Sequence, residues 1–181
     1  HRSILSRFGA SSKSGAIHSY KAELILQAHA LDQGQMVYDF GLLKMGVRDL
    51  IDAFDHAVAI WNDDDPAYVA ACQTFSERWI MLPVSPSAEQ FSRLFFCLVD
   101  RLLRQTEMVN GEAEVELYSV IVHETETGYA QCFRDDIDNP KMGEIDLEKI
   151  FFSEAITSVW PDPQLFEKIK RGVHLQNPSA I

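Results

Sequence analysis

The chain has 181 residues, 46% of them hydrophobic, which suits one domain with a real core or a domain with an appended segment. Its formal net charge of −11 argues against a nucleic-acid-binding surface, which needs a basic face. No apolar run approaches membrane-spanning length, and no secretory signal is visible. Three widely spaced cysteines predict a reducing compartment, the cytoplasm, and neither a disulfide framework nor a cysteine zinc site: Cys72, Cys97 and Cys132.

The amino-terminal part of the chain contains one clear strand signal. Residues 1–14 are rich in Ser and Gly and lack apolar periodicity, so they predict a loop. In residues 19–28 apolar and polar side chains alternate, as in a strand with one buried face. Asp32 and Gly34 predict a turn, and residues 36–38 are predicted to begin a returning strand. A hairpin is therefore expected to lead into the first helix.

An amphipathic helix is predicted next, and an Asp–His pair follows it directly. Asp39 is the predicted N-cap, because its carboxylate can accept from a free N–H of the first turn. Asp55 and His56 come after the last apolar residue, so the helix would hold them in place. Such a pair can transfer protons, since the acid orients the imidazole and stabilises its cation; the alternative is an ordinary helix end. The apolar stripe is Leu43, Val47, Leu50, Ile51 and Phe54.

The middle of the chain contains an acidic turn and a second long helix. Residues 63–65 are three aspartates, which we interpret as a solvated turn rather than a cation site, since the Gly and later Glu of a calcium loop are missing. Residues 67–80 predict a short helix and then a strand. Ser85 and Pro86 are predicted to open the second long helix. Its apolar stripe is Phe91, Leu94, Phe95, Leu98 and Leu102.

The last part of the chain predicts three more strands and a short terminal helix. Residues 115–132 alternate again, with a break at 124–128. Residues 147–152 predict a further strand, and a helix is expected after residues 161–163. This order of elements predicts the α+β class, with an antiparallel sheet covered on one face by two helices.

Five short motifs follow one another along the chain: His18-Ser19-Tyr20, MVYDF at 36–40, Asp55-His56, PSAE at 86–89 and VHET at 122–125. With these motifs the chain resembles the 6-pyruvoyltetrahydropterin synthase family, and within it the 6-carboxytetrahydropterin synthases of queuosine biosynthesis. The resemblance runs from residue 1 to about residue 133. We therefore expect a T-fold domain at 1–133 and an extension at 134–181 that packs on the same domain.

The resemblance implies a fold, a substrate and a cofactor. The T-fold has four antiparallel strands with two helices on one face, and several subunits close a barrel, usually as a hexamer, so a homo-oligomer is expected. The carboxy branch converts 7,8-dihydroneopterin triphosphate to 6-carboxy-5,6,7,8-tetrahydropterin and releases acetaldehyde and triphosphate. The implied cofactor is zinc, Zn(2+), held by three histidines, which would polarise the side-chain oxygens of the substrate.

The resemblance also assigns catalytic and pterin-binding residues. Asp55 and His56 match the family's catalytic Asp–His pair. Glu124 matches the carboxylate that accepts from the ring N–H and amino groups of the pterin, and Thr125 follows it as in the family. For the triphosphate the nearest basic residues in sequence are candidates, with solvated surface as the alternative: Arg2, Lys13 and Lys21.

The expected metal site is incomplete in this sequence. His1 and His18 match two of the family's zinc ligands, but Ala16 stands where the third is expected. Ser12 occupies the place of the catalytic cysteine, and its hydroxyl is a far weaker acid than a thiol. A subunit neighbour, His29 or His123 would have to replace the missing ligand.

Two classes of function therefore stay open. The first is a lyase of this family that forms 6-carboxytetrahydropterin, that is, a 6-carboxytetrahydropterin synthase. The second is a metal-site-impaired, non-catalytic homologue that binds a pterin or serves as a subunit of an assembly. The substitutions at residues 12, 16 and 17 favour the second, the retained Asp–His pair favours the first, and an altered sequence at these positions is a further alternative.

Overall fold

Seven strands and six helices make up the part of the chain that the computed structural model describes, residues 2–11, 17–112 and 114–177. At residues 2–11, 17–19, 40 and 42–45 the description covers the backbone alone. The strands are β1 (Arg2–Ser11), β2 (Ile17–Gln27), β3 (Ala57–Trp61), β4 (Trp79–Leu82), β5 (Glu116–His123), β6 (Tyr129–Phe133) and β7 (Phe151–Phe152). The helices are α1 (Phe40–Asp52), α2 (Pro66–Phe75), α3 (Ala88–Gln105), α4 (Arg134–Ile137), α5 (Glu154–Thr157) and α6 (Leu165–Arg171).

The strands form one mixed sheet in the order β6-β5-β2-β1-β3-β4-β7. The four strands β6, β5, β2 and β1 are antiparallel neighbours, β1 to β3 and β3 to β4 are parallel, and β4 to β7 is antiparallel. The α+β class is confirmed, but the expected four-stranded sheet is extended to seven strands. The sequence of β3, AVAIW, is apolar throughout, so it lacks the alternation on which the strand count was based.

Two predictions about the amino-terminal region are wrong. The segment predicted as a loop contains β1, which pairs along its whole length with β2, from Arg2 opposite Leu26 to Ser11 opposite Ile17. Residues 36–38 belong to no strand, because the Met36 N–H donates to the Asp32 carboxylate at 2.7 Å and stays within the turn. The hairpin partner of β2 is therefore the strand before it.

Helices α1 and α3 contact each other and pack against the sheet. The Asp39 carboxylate accepts from the Gly41 N–H at 2.7 Å, which confirms the predicted cap of α1. Helix α3 begins later than predicted, since its N-cap is Ser87 and not Ser85; the Ser87 hydroxyl accepts from the N–H of Gln90 at 3.3 Å. The largest fully buried side chains of the core include Tyr38, Phe54, Phe91, Phe95, Phe96, Leu24 and Leu26.

The segment after β6 is joined to the rest of the chain by a strand pair, a buried arginine and ring contacts. In β7, Phe152 pairs with Ile80 of β4. Arg93 of α3 is 4% exposed and donates to the carbonyls of Met142 at 2.6 Å and Gly143 at 2.8 Å. Within the described ranges, no helix is long and apolar enough to cross a membrane.

Candidate functional site

Asp55 and His56 form a turn between α1 and β3. The Nδ1 atom of His56 lies 3.0 Å from Oδ2 of Asp55, so the two neighbours in sequence make a side-chain contact. The Asp55 N–H donates to the Asp52 carbonyl at 3.0 Å, and the Ala57 N–H to the Phe54 carbonyl at 3.3 Å. Phe54 is fully buried, whereas the His56 side chain is 85% exposed. The end of α1 therefore anchors the pair and presents the imidazole to solvent.

The contact defines what the pair can do chemically. When the His56 Nδ1–H donates to Asp55, the lone pair on Nε2 is left for another proton. The pair therefore suits general acid–base chemistry toward a ligand at the exposed ring.

Glu124 and Thr125 lie in the exposed turn between β5 and β6. The Thr125 hydroxyl accepts from the Gly128 N–H at 2.7 Å, and the Glu124 N–H donates to the Gly128 carbonyl at 3.0 Å. A Cβ atom on Gly128 would lie 2.9 Å from the Thr125 hydroxyl, so a larger residue would disturb the turn. Thr125 thus shapes the turn that carries the Glu124 carboxylate.

Tyr20 lies in the core next to Lys21, whose strand partner His123 comes directly before this turn. Its side chain is 4% exposed, and burial raises its pKa to about 12, with a further contribution from the charges of Glu124 and Glu89. Its ring meets Phe91 edge-on at 5.3 Å between centroids, and Phe91 meets Phe54 at 5.7 Å. Packed rings therefore join Tyr20 to the residue before the Asp–His pair. Tyr20 and Glu89 belong to the motifs found in the sequence, but they were assigned no role there.

The strand registers place the Asp–His pair, the His18 backbone and the Glu124 turn toward one end of the sheet, whereas Arg2 pairs with Leu26 toward the other end. The residue after His56 pairs with Ala10 of β1, and Ala10 pairs with His18 of β2. Three residues after His18 in β2, Lys21 pairs with His123, the last residue of β5, which directly precedes Glu124. Strands β3 and β5 are three strand spacings apart in the sheet order, roughly 14 Å. The Asp–His pair, the His18 backbone and the Glu124 turn thus share one region.

The donor set of this chain does not fit a three-histidine zinc site. His18 is placed by its backbone alone, and His1, Ser12 and Ala16 lie outside the described residues. In the part of the chain whose side chains are described, no group of three or more His, Cys, Asp or Glu could hold a metal ion. Ala16 brings no donor atom, so the expected ligands are two histidines, His1 and His18, where a catalytic zinc normally has three protein ligands. Arg2, next to His1, pairs with Leu26, eight residues along β2 from His18.

The replacement ligands considered from the sequence have other partners. His123 Nε2 lies 3.1 Å from a Glu23 oxygen, and His29 Nε2 lies 3.8 Å from a Glu114 oxygen. Lys21, a candidate for the triphosphate, lies 2.7 Å from the same Glu23 oxygen, and its hydrogen bond is the main cause that lowers the pKa of Glu23. The other two triphosphate candidates have no described side chain: Arg2 and Lys13.

Comparisons with known proteins agree with this geometry. A solved structure of an uncharacterized protein from Wolinella succinogenes shares the fold, with a TM-score of 0.54 and 17% identity over 74% of this chain and 98% of that one. A 6-carboxy-5,6,7,8-tetrahydropterin synthase of Helicobacter pylori is 32% identical over 153 residues, which cover 84% of this chain and 76% of the relative. The enzyme of the same name from Aquifex aeolicus is 28% identical over 118 residues, which cover 63% of this chain and 70% of the relative.

The fold and the relatives thus define an α+β protein of the pterin synthase type. The sequence model described as 6-pyruvoyl tetrahydropterin synthase matches residues 8–135. The chain belongs to the 6-pyruvoyl tetrahydropterin synthase family, and the resemblance found in the sequence is confirmed.

Proposed function

We propose that the chain is a 6-carboxytetrahydropterin synthase, a lyase that converts 7,8-dihydroneopterin triphosphate to 6-carboxy-5,6,7,8-tetrahydropterin in queuosine biosynthesis. The observation that carries the proposal is the 3.0 Å contact between His56 and Asp55 in an exposed turn of a chain from this family. The 32% identity to the Helicobacter pylori enzyme supports the choice of the carboxy branch. We also propose a cytoplasmic location, since the three cysteines are free thiols. A homo-oligomer is proposed on the family resemblance alone.

In this proposal each site residue has a separate task. His56 moves protons at the side chain of the substrate, and Asp55 orients the imidazole and stabilises its cation. Glu124 accepts hydrogen bonds from the N–H groups along one edge of the pterin, and Thr125 holds the turn around it.

Zinc binding is a separate prediction, which concerns only the two histidines proposed as metal ligands. His1 and His18 are the proposed donors, and Ala16 leaves the set one ligand short. Bound zinc would polarise oxygen atoms of the substrate side chain. Because the donor set does not fit, no step above depends on it.

A second candidate function is pterin binding without turnover. Ala16 and Ser12, in place of a metal ligand and the catalytic cysteine, favour this reading. It predicts that Glu124 binds a pterin while the substrate stays intact.

Turnover of 7,8-dihydroneopterin triphosphate, followed by product chromatography with and without added zinc, separates the two functions. We expect 6-carboxytetrahydropterin from the wild-type chain and a loss of about 100-fold or more in His56→Ala, since a general acid–base residue contributes about this factor. His174→Ala is the matched control, because the His174 side chain is 69% exposed, lies 4.0 Å from a Glu107 oxygen and has no proposed role in the site. Pterin binding with no product under either condition would establish the second function instead.

A further inference from the structure

Arg78 stands directly before β4 and binds the turn that carries the Asp–His pair. Its guanidinium donates to the Asp52 and Ala53 carbonyls, both at 3.3 Å through Nη2, and to the Asp55 carbonyl at 3.2 Å through Nε. Nη1 donates to the Ala155 carbonyl of α5 at 3.5 Å. One side chain therefore connects three carbonyls at the end of α1 to the segment after residue 134.

The charge and shape of the guanidinium suit this position. The last carbonyls of a helix have no partner within the helix and carry partial negative charge, so a cation is stabilising there. The planar guanidinium offers five N–H donors in a fixed arrangement. Arg78 directs them to three carbonyls of residues 52–55 and to one carbonyl of α5.

The backbone of the turn needs such support. His56 has φ 53°, in the left-handed region, which is unfavourable for a residue with a Cβ. The Asp55 carbonyl belongs to the peptide bond that joins Asp55 to His56. By binding this carbonyl, Arg78 fixes the orientation of the peptide group from which both catalytic side chains project.

The other end of the contact belongs to the segment after residue 134. The N–H of Trp79, next to Arg78, donates to the Ser153 hydroxyl at 3.2 Å, and the Ser153 N–H returns a bond to the Trp79 carbonyl at 3.0 Å. Two residues later, Ala155 accepts from Arg78. This docking holds the carbonyl of Ala155 against the guanidinium.

We propose that Arg78 is a positioning residue for the Asp55–His56 pair and that the carboxy-terminal segment completes its binding site through the Ala155 carbonyl. The inference rests on the proposed function, because the pair it positions is the proposed proton-transfer unit. Arg78 acts through the backbone and needs no contact with the substrate.

The test compares Arg78→Ala and Arg78→Lys with Arg48→Ala. Arg48 is the matched control, since it is an exposed arginine on α1 that binds the Asp52 side chain and not the turn carbonyls. We expect Arg78→Ala to lower kcat by about 10- to 100-fold per folded molecule with KM within twofold, because a small misplacement of catalytic groups has effects of this size. Arg78→Lys should recover part of the loss, and Arg48→Ala should resemble the wild type.

A double variant separates positioning from general structural support. If Arg78 acts through His56, then adding Arg78→Ala to His56→Ala should cause no further loss of kcat. The inference would be overturned if the double variant lost kcat by the product of the two single losses, or if Arg48→Ala lost as much kcat as Arg78→Ala.

Absence of turnover in the wild-type chain would refute the proposed lyase but not the role of Arg78. In that case amide hydrogen exchange tests whether Arg78 holds the turn. The Asp55 and Ala57 amides, which close the turn, should then exchange faster in Arg78→Ala than in Arg48→Ala, with the Leu94 amide of α3 unchanged. Equal exchange at both turn amides would show that Arg78 does not hold the turn.

Discussion

The carboxylate of Glu124 is the side chain whose substitution tests pterin binding most directly. Glu124→Gln replaces one acceptor oxygen by an amide that would direct its N–H atoms at the N–H donors of the pterin. We expect the Kd to rise by about 10- to 100-fold, the loss of one charge-assisted hydrogen bond. Titration of pterin fluorescence measures the Kd, with Glu126→Gln in the same exposed turn as control. Equal affinity of Glu124→Gln and the wild type would remove Glu124 from the site.

The missing zinc ligand can be restored by substitution. Ala16→His together with Ile17→Gly should raise the zinc content toward one ion per chain, since a third imidazole completes the usual donor number. Elemental analysis of the purified protein measures the content. The same change made with His18→Ala should gain no metal. No gain with His18 intact would show that His1 and His18 are not metal ligands.

Arg78 shows why part of the site could not be predicted at the level of single residues. Asp55 and His56 are adjacent in the sequence, so the pair is visible as a motif, and the structure adds their 3.0 Å contact. The carbonyls that Arg78 binds are 23, 25, 26 and 77 positions away in the chain. Backbone carbonyls carry no residue identity, so no pattern of side chains indicates this contact.

At the scale of elements, the start of α3 distinguishes two neighbouring serines. Ser87→Ala removes the hydroxyl that accepts from the Gln90 N–H and should lower the free energy of unfolding by about 1 kcal/mol. Urea unfolding followed by circular dichroism measures the change. Ser85→Ala, at the position first predicted as the cap, should leave the stability within about 0.5 kcal/mol of the wild type. A larger effect at Ser85 than at Ser87 would contradict the observed cap.

Elements with a strong local period were predicted well, and those defined by distant pairing were not. In α1 the stripe residues Val47, Leu50, Ile51 and Phe54 are buried, as is the whole stripe of α3, and β2 and β5 alternate in burial, so each of these elements has one buried face. Strand β1 has no such alternation and exists through its pairing with β2. In β7 only Phe151 and Phe152 pair with β4, so the predicted strand at 147–152 is mostly a 3-10 turn, Leu147–Lys149, followed by two paired residues.

At the scale of the whole molecule, cysteine thiols and tyrosine hydroxyls with raised pKa values make the stability depend on alkaline pH. Burial raises the pKa of Cys97 to about 11 and of Cys132, Tyr20 and Tyr38 to about 12. The folded chain holds these protons more tightly than the unfolded chain, so their contribution is fully present below about pH 9 and is lost as the pH rises through 11 to 12. The free energy of unfolding in urea should therefore fall between pH 9 and 12.

Tyr20→Phe tests one of these groups. It keeps the ring against Phe91 and removes the proton, so the stability of the variant should depend less steeply on pH in this range. Tyr129→Phe, at a residue that is 61% exposed, is the control. Identical pH dependence of Tyr20→Phe and the wild type would contradict the role of Tyr20.

The aromatic contacts around Phe152 have a thermodynamic consequence. Phe152 meets Phe54 at 6.3 Å, Trp160 at 5.2 Å and Phe166 at 4.9 Å, so the rings of the last segment rest on the residue that precedes Asp55. Melting that segment by itself would expose Phe54 to water, which makes partial unfolding unfavourable. The chain should therefore unfold as one cooperative unit in calorimetry, with a single heat-absorption peak and no earlier separate transition of the last segment.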